Sequence, residues 1–196
     1  MNQKEATKIL ATKGISREKV LALSSYKKEP SWMTEIRLKA FDHYTERVVP
    51  SWGVDLSKFS EDEIQFYVEP KSRKSRTWDE VPSEIKKTYE DLKIPEAEKK
   101  FLAGVETQFD SNVVYGRMKE KWESQGVIFT DTDSALQKYP ELFKEWFGRV
   151  IPYTDNKYAA LNTAFWSGGS FVYIPKGVKV EIPLQAYFYI KTANLG

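Results

Sequence analysis

The apolar residues of this chain follow one spacing near its C-terminus and another before it. From residue 178 to residue 190 every second position is apolar: Val178, Val180, Ile182, Leu184, Ala186, Phe188 and Ile190. This alternation is typical of a β-strand with one buried face. The stretch 159–190 therefore predicts stacked strands, with turn signals at Gly168-Gly169 and at Pro175-Lys176-Gly177.

The earlier part of the chain has a helical spacing instead. Met33, Ile36, Ala40 and Tyr44 recur at intervals of three and four residues, which predicts a helix with an apolar stripe. The change of period places a domain boundary near residue 150. We thus expect an α+β protein with a mostly helical domain at 1–150 and strands in a second domain at 151–196.

Capping and breaking residues predict where the helices begin and end. Ser16 is expected to cap a helix that runs to about Tyr26, and Pro30 to be the first residue of the next helix. Further helices are predicted after Pro82, from Pro95 to Lys100, through Val114, Met118 and Trp122 to Gly126, from Asp131 or Asp133 to Lys138, and from Pro140 to Gly148.

Short strands and loops are predicted between these helices. The segments 64–68 (IQFYV) and 127–130 (VIFT) have strand composition. Pro50 and Gly53 interrupt regular structure in the connector 48–55, where Trp52 is expected to anchor the loop. The polar segment 151–158 is predicted to be a loop.

Composition indicates a folded protein without thiol chemistry. Of the 196 residues 41% are hydrophobic and 30% are charged, with a net charge of +2, so no overall field favours nucleic acid or a membrane surface. The absence of cysteine excludes disulfides and thiolate ligands within this sequence. No apolar run approaches the roughly 18 residues of a membrane span, and the charged N-terminus is unlike a signal peptide. A cytoplasmic location is expected.

Candidate chemical groups are few, and each has a simpler structural interpretation. His43 is the only histidine and is expected to lie at the surface or to be partly packed. Asp131 and Asp133 are spaced like the start of a calcium loop, but Ala135 and Leu136 stand where a ligand and a glycine are required. Gly168-Gly169 lacks the spacing and the lysine of a phosphate-binding loop.

An acidic run and a set of aromatic residues are also expected to have structural roles. The acidic run Glu61, Asp62 and Glu63 is expected to begin a helix. Five aromatic residues are expected to pack within the fold, with an aromatic binding face as the alternative: Trp166, Phe171, Tyr173, Tyr187 and Tyr189. The residues themselves therefore predict no catalytic, cofactor-binding or metal-binding site.

A basic run leaves a nucleic-acid alternative open. Lys71, Arg73, Lys74 and Arg76 form the densest positive segment of the chain. A solvated loop is the favoured interpretation, because no alternating aromatic residues accompany these charges. An RNA-contacting or phosphate-contacting loop is the alternative.

Several stretches together resemble a known family. SWMTEIRLKAFDHY, VVPSWGVDLS, GVIFTDTDSALQKYPELFKEWF and above all WSGGSFVYIPKGVKVEIPLQAYF resemble the SufB/SufD family of SUF-system iron–sulfur cluster assembly scaffolds. The resemblance runs from about residue 16 to the last residue. It implies an N-terminal helical domain followed by the first strands of a right-handed parallel β-helix.

The resemblance also implies partners and a function. Family members pair with a SufD-like subunit or a second SufB-like copy, bind the ABC-type ATPase SufC, and accept sulfur from donor proteins while an iron–sulfur cluster is built. The ATPase activity is expected in the SufC-like partner, so this chain is not expected to be an enzyme. The family's sulfur-accepting and cluster-binding residues lie beyond Gly196, so this segment is expected to bind no cofactor. The alternative is an interaction module that performs no chemistry.

Overall fold

Contacts divide this chain into two units, each built from two separate stretches of sequence. The computed structural model describes residues 1–52, 54–56, 60–68, 83–91, 104–109, 112–118, 120–181 and 183–189. The helical unit comprises the described residues of 1–68 and 136–166, and the sheet unit comprises those of 69–135 and 167–192. The boundary near residue 150, as a statement about domains, stays a prediction.

Helices and strands are both present among the described residues. The helices are α1 (Gln3–Leu10), α2 (Arg17–Tyr26), α3 (Ser31–Glu46), α4 (Ser83–Asp91), α5 (Glu120–Glu123), α6 (Thr132–Lys138), α7 (Pro140–Trp146) and α8 (Lys157–Phe165), with a 3₁₀ turn at Glu61–Glu63. The strands are β1 (Gly104–Phe109), β2 (Asn112–Met118), β3 (Ile128–Asp131), β4 (Ser170–Tyr173) and β5 (Leu184–Tyr189). The N-terminal part is helical, and the chain as described combines helices with small sheets.

The starts of α2, α6 and α7 lie where the capping residues predict them. The Ser16 hydroxyl accepts a hydrogen bond from the Lys19 amide at 3.2 Å, and the Asp131 carboxylate accepts one from the Ser134 amide at 2.7 Å. These side chains satisfy amides that the first helical turn leaves without partners. Pro140 is the first residue of α7, as predicted. Pro30 instead lies just before α3 with a φ of −66°.

The core of the helical unit lies where α8 packs against α3. Ala160 and Ala164 are one helical turn apart and fully buried, and Leu161 and Phe165 follow them on the same side. Small side chains let the two helix backbones approach closely, while the larger ones fill the remaining space. α1 and α2 complete this core with Ala6, Leu10, Val20, Ala22 and Leu23.

Gly14 makes a tight connection between α1 and α2. Its φ of +80° lies in the left-handed region, and a Cβ atom there would stand 3.3 Å from Oδ1 of Asp62. Gly148 has a similar φ of +73°, but a Cβ atom at that position would have no neighbour within 4 Å. The two glycines therefore share a backbone conformation and differ in their surroundings.

This difference gives a prediction for two alanine variants. Gly14→Ala and Gly148→Ala should each lower the free energy of unfolding by about 1–2 kcal/mol, because both force alanine into the left-handed region. Gly14→Ala should lower the free energy of unfolding more than Gly148→Ala does, because the Asp62 side chain must also move. Urea denaturation measures both losses. A loss in Gly14→Ala no larger than that in Gly148→Ala would contradict the close contact.

The sheet unit contains two small sheets. β1 lies in the middle of the first, antiparallel to β2 and parallel to β5, with Gly104 opposite Leu184 and Phe109 opposite Tyr189. The second sheet pairs β3 with β4 in antiparallel fashion, from Ile128 opposite Tyr173 to Asp131 opposite Ser170. The parallel β-helix implied by the family resemblance stays a prediction.

The helix predicted through Val114 and Met118 is wrong, because residues 112–118 form β2. Val113, Val114 and Tyr115 are β-branched or aromatic and favour a strand once β1 supplies a partner. Among the described residues of that segment, only Glu120–Glu123 are helical, as the short α5. Gly104 begins β1. The helix predicted at 95–100 lies outside the described residues, whereas the one predicted after Pro82 is confirmed as α4.

The long alternating strand is shorter in the structure than in the sequence pattern. Its regular part begins only at Leu184, because Pro183 has no amide hydrogen to donate to a neighbouring strand. The buried face is nevertheless where the alternation places it, since Val178, Val180 and Leu184 pack against Trp122 and Val127. Ile182 and Ile190 lie outside the described residues.

Two other predictions require correction. The loop assigned to 151–158 and the strands assigned from 159 onward overlook α8. Asn156 caps this helix by accepting hydrogen bonds from the amides of Tyr158 and Ala159 at 2.9 and 3.0 Å. The strand predicted at 64–68 is only an isolated bridge at Gln65. The strand predicted at 127–130 is confirmed as β3, shifted by one residue.

Candidate functional site

The described residues contain no group of three or more histidine, cysteine, aspartate or glutamate side chains that could hold a metal ion. His43 is half-buried, and its ring lies 5.2 Å from that of Tyr153 in an edge contact. This is the packed position that the sequence predicts for it. The basic run with Lys71 and Arg76 lies outside the described residues.

The glycine pair of the sheet unit takes part in backbone packing. Gly168 and Gly169 have φ values of 66° and 111°. Their carbonyl oxygens accept hydrogen bonds from Thr132, at 2.6 Å from its hydroxyl and at 3.0 Å from its amide. A phosphate-binding loop presents amides to its ligand, whereas this turn directs two carbonyls to the start of α6.

Arg37, Glu29 and the carbonyls of Ala164 and Trp166 form a buried polar cluster, the Arg37 junction. The side chains of Arg37 and Glu29 are both 0% exposed. Two nitrogens of the guanidinium donate to the Glu29 carboxylate at 2.7 and 2.6 Å. The same group donates to the Ala164 and Trp166 carbonyls, each at 2.9 Å.

The Arg37 guanidinium donates hydrogen bonds to the carbonyls of Ala164 and Trp166 at the end of α8. It also balances the negative charge of the buried Glu29 carboxylate. The end of a helix leaves carbonyl groups without partners and carries partial negative charge, which a guanidinium complements. The bidentate geometry of arginine with a carboxylate adds directional strength. Arg37 therefore fastens the turn before α3 and the exit of α8 to one buried point.

Trp166 packs on the same guanidinium. The centre of the Arg37 guanidinium lies 4.5 Å from the centre of the Trp166 ring, which is within cation–π range. Phe143 stacks on Trp166 at 5.8 Å, and Phe147 lies 5.5 Å from it. Packing within the fold is thus confirmed for Trp166. Tyr173 is partly exposed, and the side chains of Tyr187 and Tyr189 lie outside the described residues.

A second polar cluster lies at the end of α3. The Tyr44 hydroxyl donates to Glu61 at 2.9 Å, and the Lys157 ammonium lies 4.1 Å from the centre of the Tyr44 ring. That ammonium also donates to the carbonyls of Tyr44 and Arg47 at 2.8 and 2.9 Å. Burial raises the pKa of the Tyr44 phenol well above its usual range, and the hydrogen bond to Glu61 raises it further.

Tyr44 gives a prediction for the pH dependence of stability. Its ordinary pKa is 10.0, so at higher pH the unfolded state loses a proton that the folded state keeps. The contribution of the Tyr44 phenol to the free energy of unfolding is therefore fully present below pH 10 and is lost as the pH rises above that value. Tyr44→Phe should flatten the fall of the unfolding free energy between about pH 9 and 11.

The control for this prediction is Tyr139→Phe, at an exposed position of the same unit. It should leave the slope of the unfolding free energy against pH unchanged. Lys19 acts in the opposite direction in every variant, because burial lowers its pKa and the folded state then binds fewer protons than the unfolded one. An identical slope in Tyr44→Phe and the original chain would rule out the assigned role of Tyr44.

Lys19 holds the turn after α1 from inside. Its ammonium donates to the carbonyls of Thr12 at 3.0 Å and Gly14 at 2.8 Å, and also to that of Lys13. Burial lowers the pKa of Lys19, and the negative charge of Asp62 opposes that effect. Three carbonyls satisfy the three donors of an ammonium group. Lys19 is thus a structural residue.

Several apolar side chains are exposed on the Trp52 loop, residues 48–52 and 54–56. Trp52 is 76% exposed and Val48 is 86% exposed. The sequence-based expectation that Trp52 anchors this loop is therefore wrong. Arg47 fastens the loop instead, because its guanidinium donates to the carbonyls of Thr154 and Asp155 at 2.6 and 3.4 Å.

Neither the Arg37 junction nor the exposure of Trp52 was predicted from the sequence. Arg37 had a detectable signal, since it lies four residues after Met33 and three before Ala40, on the buried stripe of α3. A charged residue on such a stripe indicates a buried partner. The exposure of Trp52 had no comparable signal, because a loop tryptophan is compatible with either burial or exposure.

Most of the chain matches one protein family. A family model described as the SufBD protein N-terminal region matches residues 21–186. The chain belongs to the SufBD family. This match covers most of the helices and strands described above.

Individual proteins that are similar to this chain carry names of the same family. It is 52% identical over 195 residues to the iron–sulfur cluster assembly protein SufB of Bacillus subtilis, which covers 100% of this chain and 42% of that protein. It is 52% identical over 184 residues to an iron–sulfur cluster assembly SufBD family protein of Staphylococcus haemolyticus, covering 94% of this chain and 40% of that protein. A Staphylococcus aureus family member is 51% identical over the same length. The chain thus spans about two-fifths of the length of these relatives.

Proposed function

We propose that this chain is the N-terminal part of an iron–sulfur cluster assembly scaffold of the SUF system. The observation that carries the proposal is the 52% identity to Bacillus subtilis SufB along the whole of this chain. The helical unit acts as a rigid support in this role, with the Arg37 junction as its buried fastening point.

Cluster assembly itself takes place outside these 196 residues. Protein-bound clusters are held mainly by cysteine thiolates, and this sequence contains no cysteine. The iron–sulfur cluster is the cargo of the assembled protein, and this segment binds no cofactor of its own. In this role the chain acts as a scaffold, and ATP hydrolysis belongs to a SufC-like partner.

The proposal extends to architecture, partners and location. The parallel pairing of β1 with β5 and the buried face of Val178, Val180 and Leu184 support the start of a right-handed parallel β-helix. Its partners are a SufC-like ATPase, a SufD-like subunit or a second SufB-like chain, and sulfur donor proteins. The location is the cytoplasm. Among the described residues, none of the helices has both the length and the apolar character that a membrane crossing requires.

A chimeric protein tests the proposed function. In it, this chain replaces the matching N-terminal part of Bacillus subtilis SufB, and the rest of that protein is retained. The chimera should restore the activity of iron–sulfur enzymes in cells depleted of SufB, because the part that it replaces is 52% identical to this chain. Enzyme activity in extracts measures the outcome.

Two variants of the chimera sharpen this test. Arg37→Met, which removes a buried charge partner, should lower the amount of chimera and its rescue together, whereas Arg17→Met, which removes an exposed ion pair with Asp42, should change neither. A chimera that accumulates to the level of SufB itself but restores no iron–sulfur enzyme would overturn the proposal.

A further inference from the structure

We draw no further inference here: the strongest candidate, the exposed apolar surface patch of Val48, Trp52 and Val54 on the loop that follows α3, carries none because nothing in the described part of the structure shows what covers it.

Discussion

Arg37→Met is expected to lower the free energy of unfolding of the helical unit by about 3–5 kcal/mol. The substitution leaves the Glu29 carboxylate buried without its cation, since both side chains are 0% exposed. It also removes the donors to the carbonyls of Ala164 and Trp166. Urea denaturation followed by far-ultraviolet circular dichroism measures the loss. Amide hydrogen exchange in α2, α3 and α8 locates it in the helical unit.

Arg17→Met is the matched control for this experiment. Arg17 also pairs with a carboxylate, that of Asp42, but both side chains are about half exposed. Because solvent screens such a pair, its removal should cost less than about 1 kcal/mol. The double variant Arg37→Met with Glu29→Leu should recover part of the loss, because no uncompensated charge remains. If Arg37→Met were as stable as Arg17→Met, the junction would not be the buried fastening point of this unit.

Phe165→Ala is expected to cost about 3–5 kcal/mol of unfolding free energy. Phe165 is 6% exposed, and its ring lies 6.3 Å from that of Phe41 and 5.4 Å from that of Phe66. It therefore joins α8 to α3 and to the segment before residue 68. The substitution leaves a cavity that these rings can only partly fill. Thermal and urea denaturation of the full chain measure the effect.

Trp146→Ala provides the comparison, because it removes a larger aromatic side chain that is 57% exposed in the same unit. Its loss should stay below about 1 kcal/mol, since a surface substitution leaves little cavity. Equal losses in the two variants would mean that α8 contributes no more to the core than the exposed end of α7.

Local chemistry explains the elements that the sequence predicts well. Ser16, Asp131 and Pro140 mark helix starts because their side chains act on backbone groups within three residues. No distant residue is needed for such an effect. The alternation likewise predicts that Val178, Val180 and Leu184 pack on one side, against Trp122 and Val127, although not the point at which the strand begins.

Predictions fail where a distant segment decides the outcome. Residues 112–118 carry the spacing of a helix, but they form a strand because β1 lies alongside them and in turn pairs with β5, far along the sequence. α8 is overlooked because its apolar residues cover too much of its surface to give a clear stripe. Its capping residue, Asn156, was the one local signal available.

The Arg37 junction also combines a feature visible in the local sequence with one that a distant segment decides. A charged residue on the apolar stripe of α3 was visible in the sequence, but its partners were not, because the Arg37 guanidinium reaches a carbonyl 127 residues away. Arg47, just before the Trp52 loop, likewise donates to carbonyls more than 100 positions later. Neither arrangement follows from spacing.

The sequence by itself determined the family, the starts of α2, α4, α6 and α7, and the side on which Val178, Val180 and Leu184 pack, because each depends on residues that are adjacent or regularly spaced. Only the tertiary structure decided which strands pair, that α8 completes the core of the helical unit, and that Arg37 is buried with Glu29. The physical reason is the same in each case. A buried charge or a paired strand is stable only when a remote part of the chain supplies its partner.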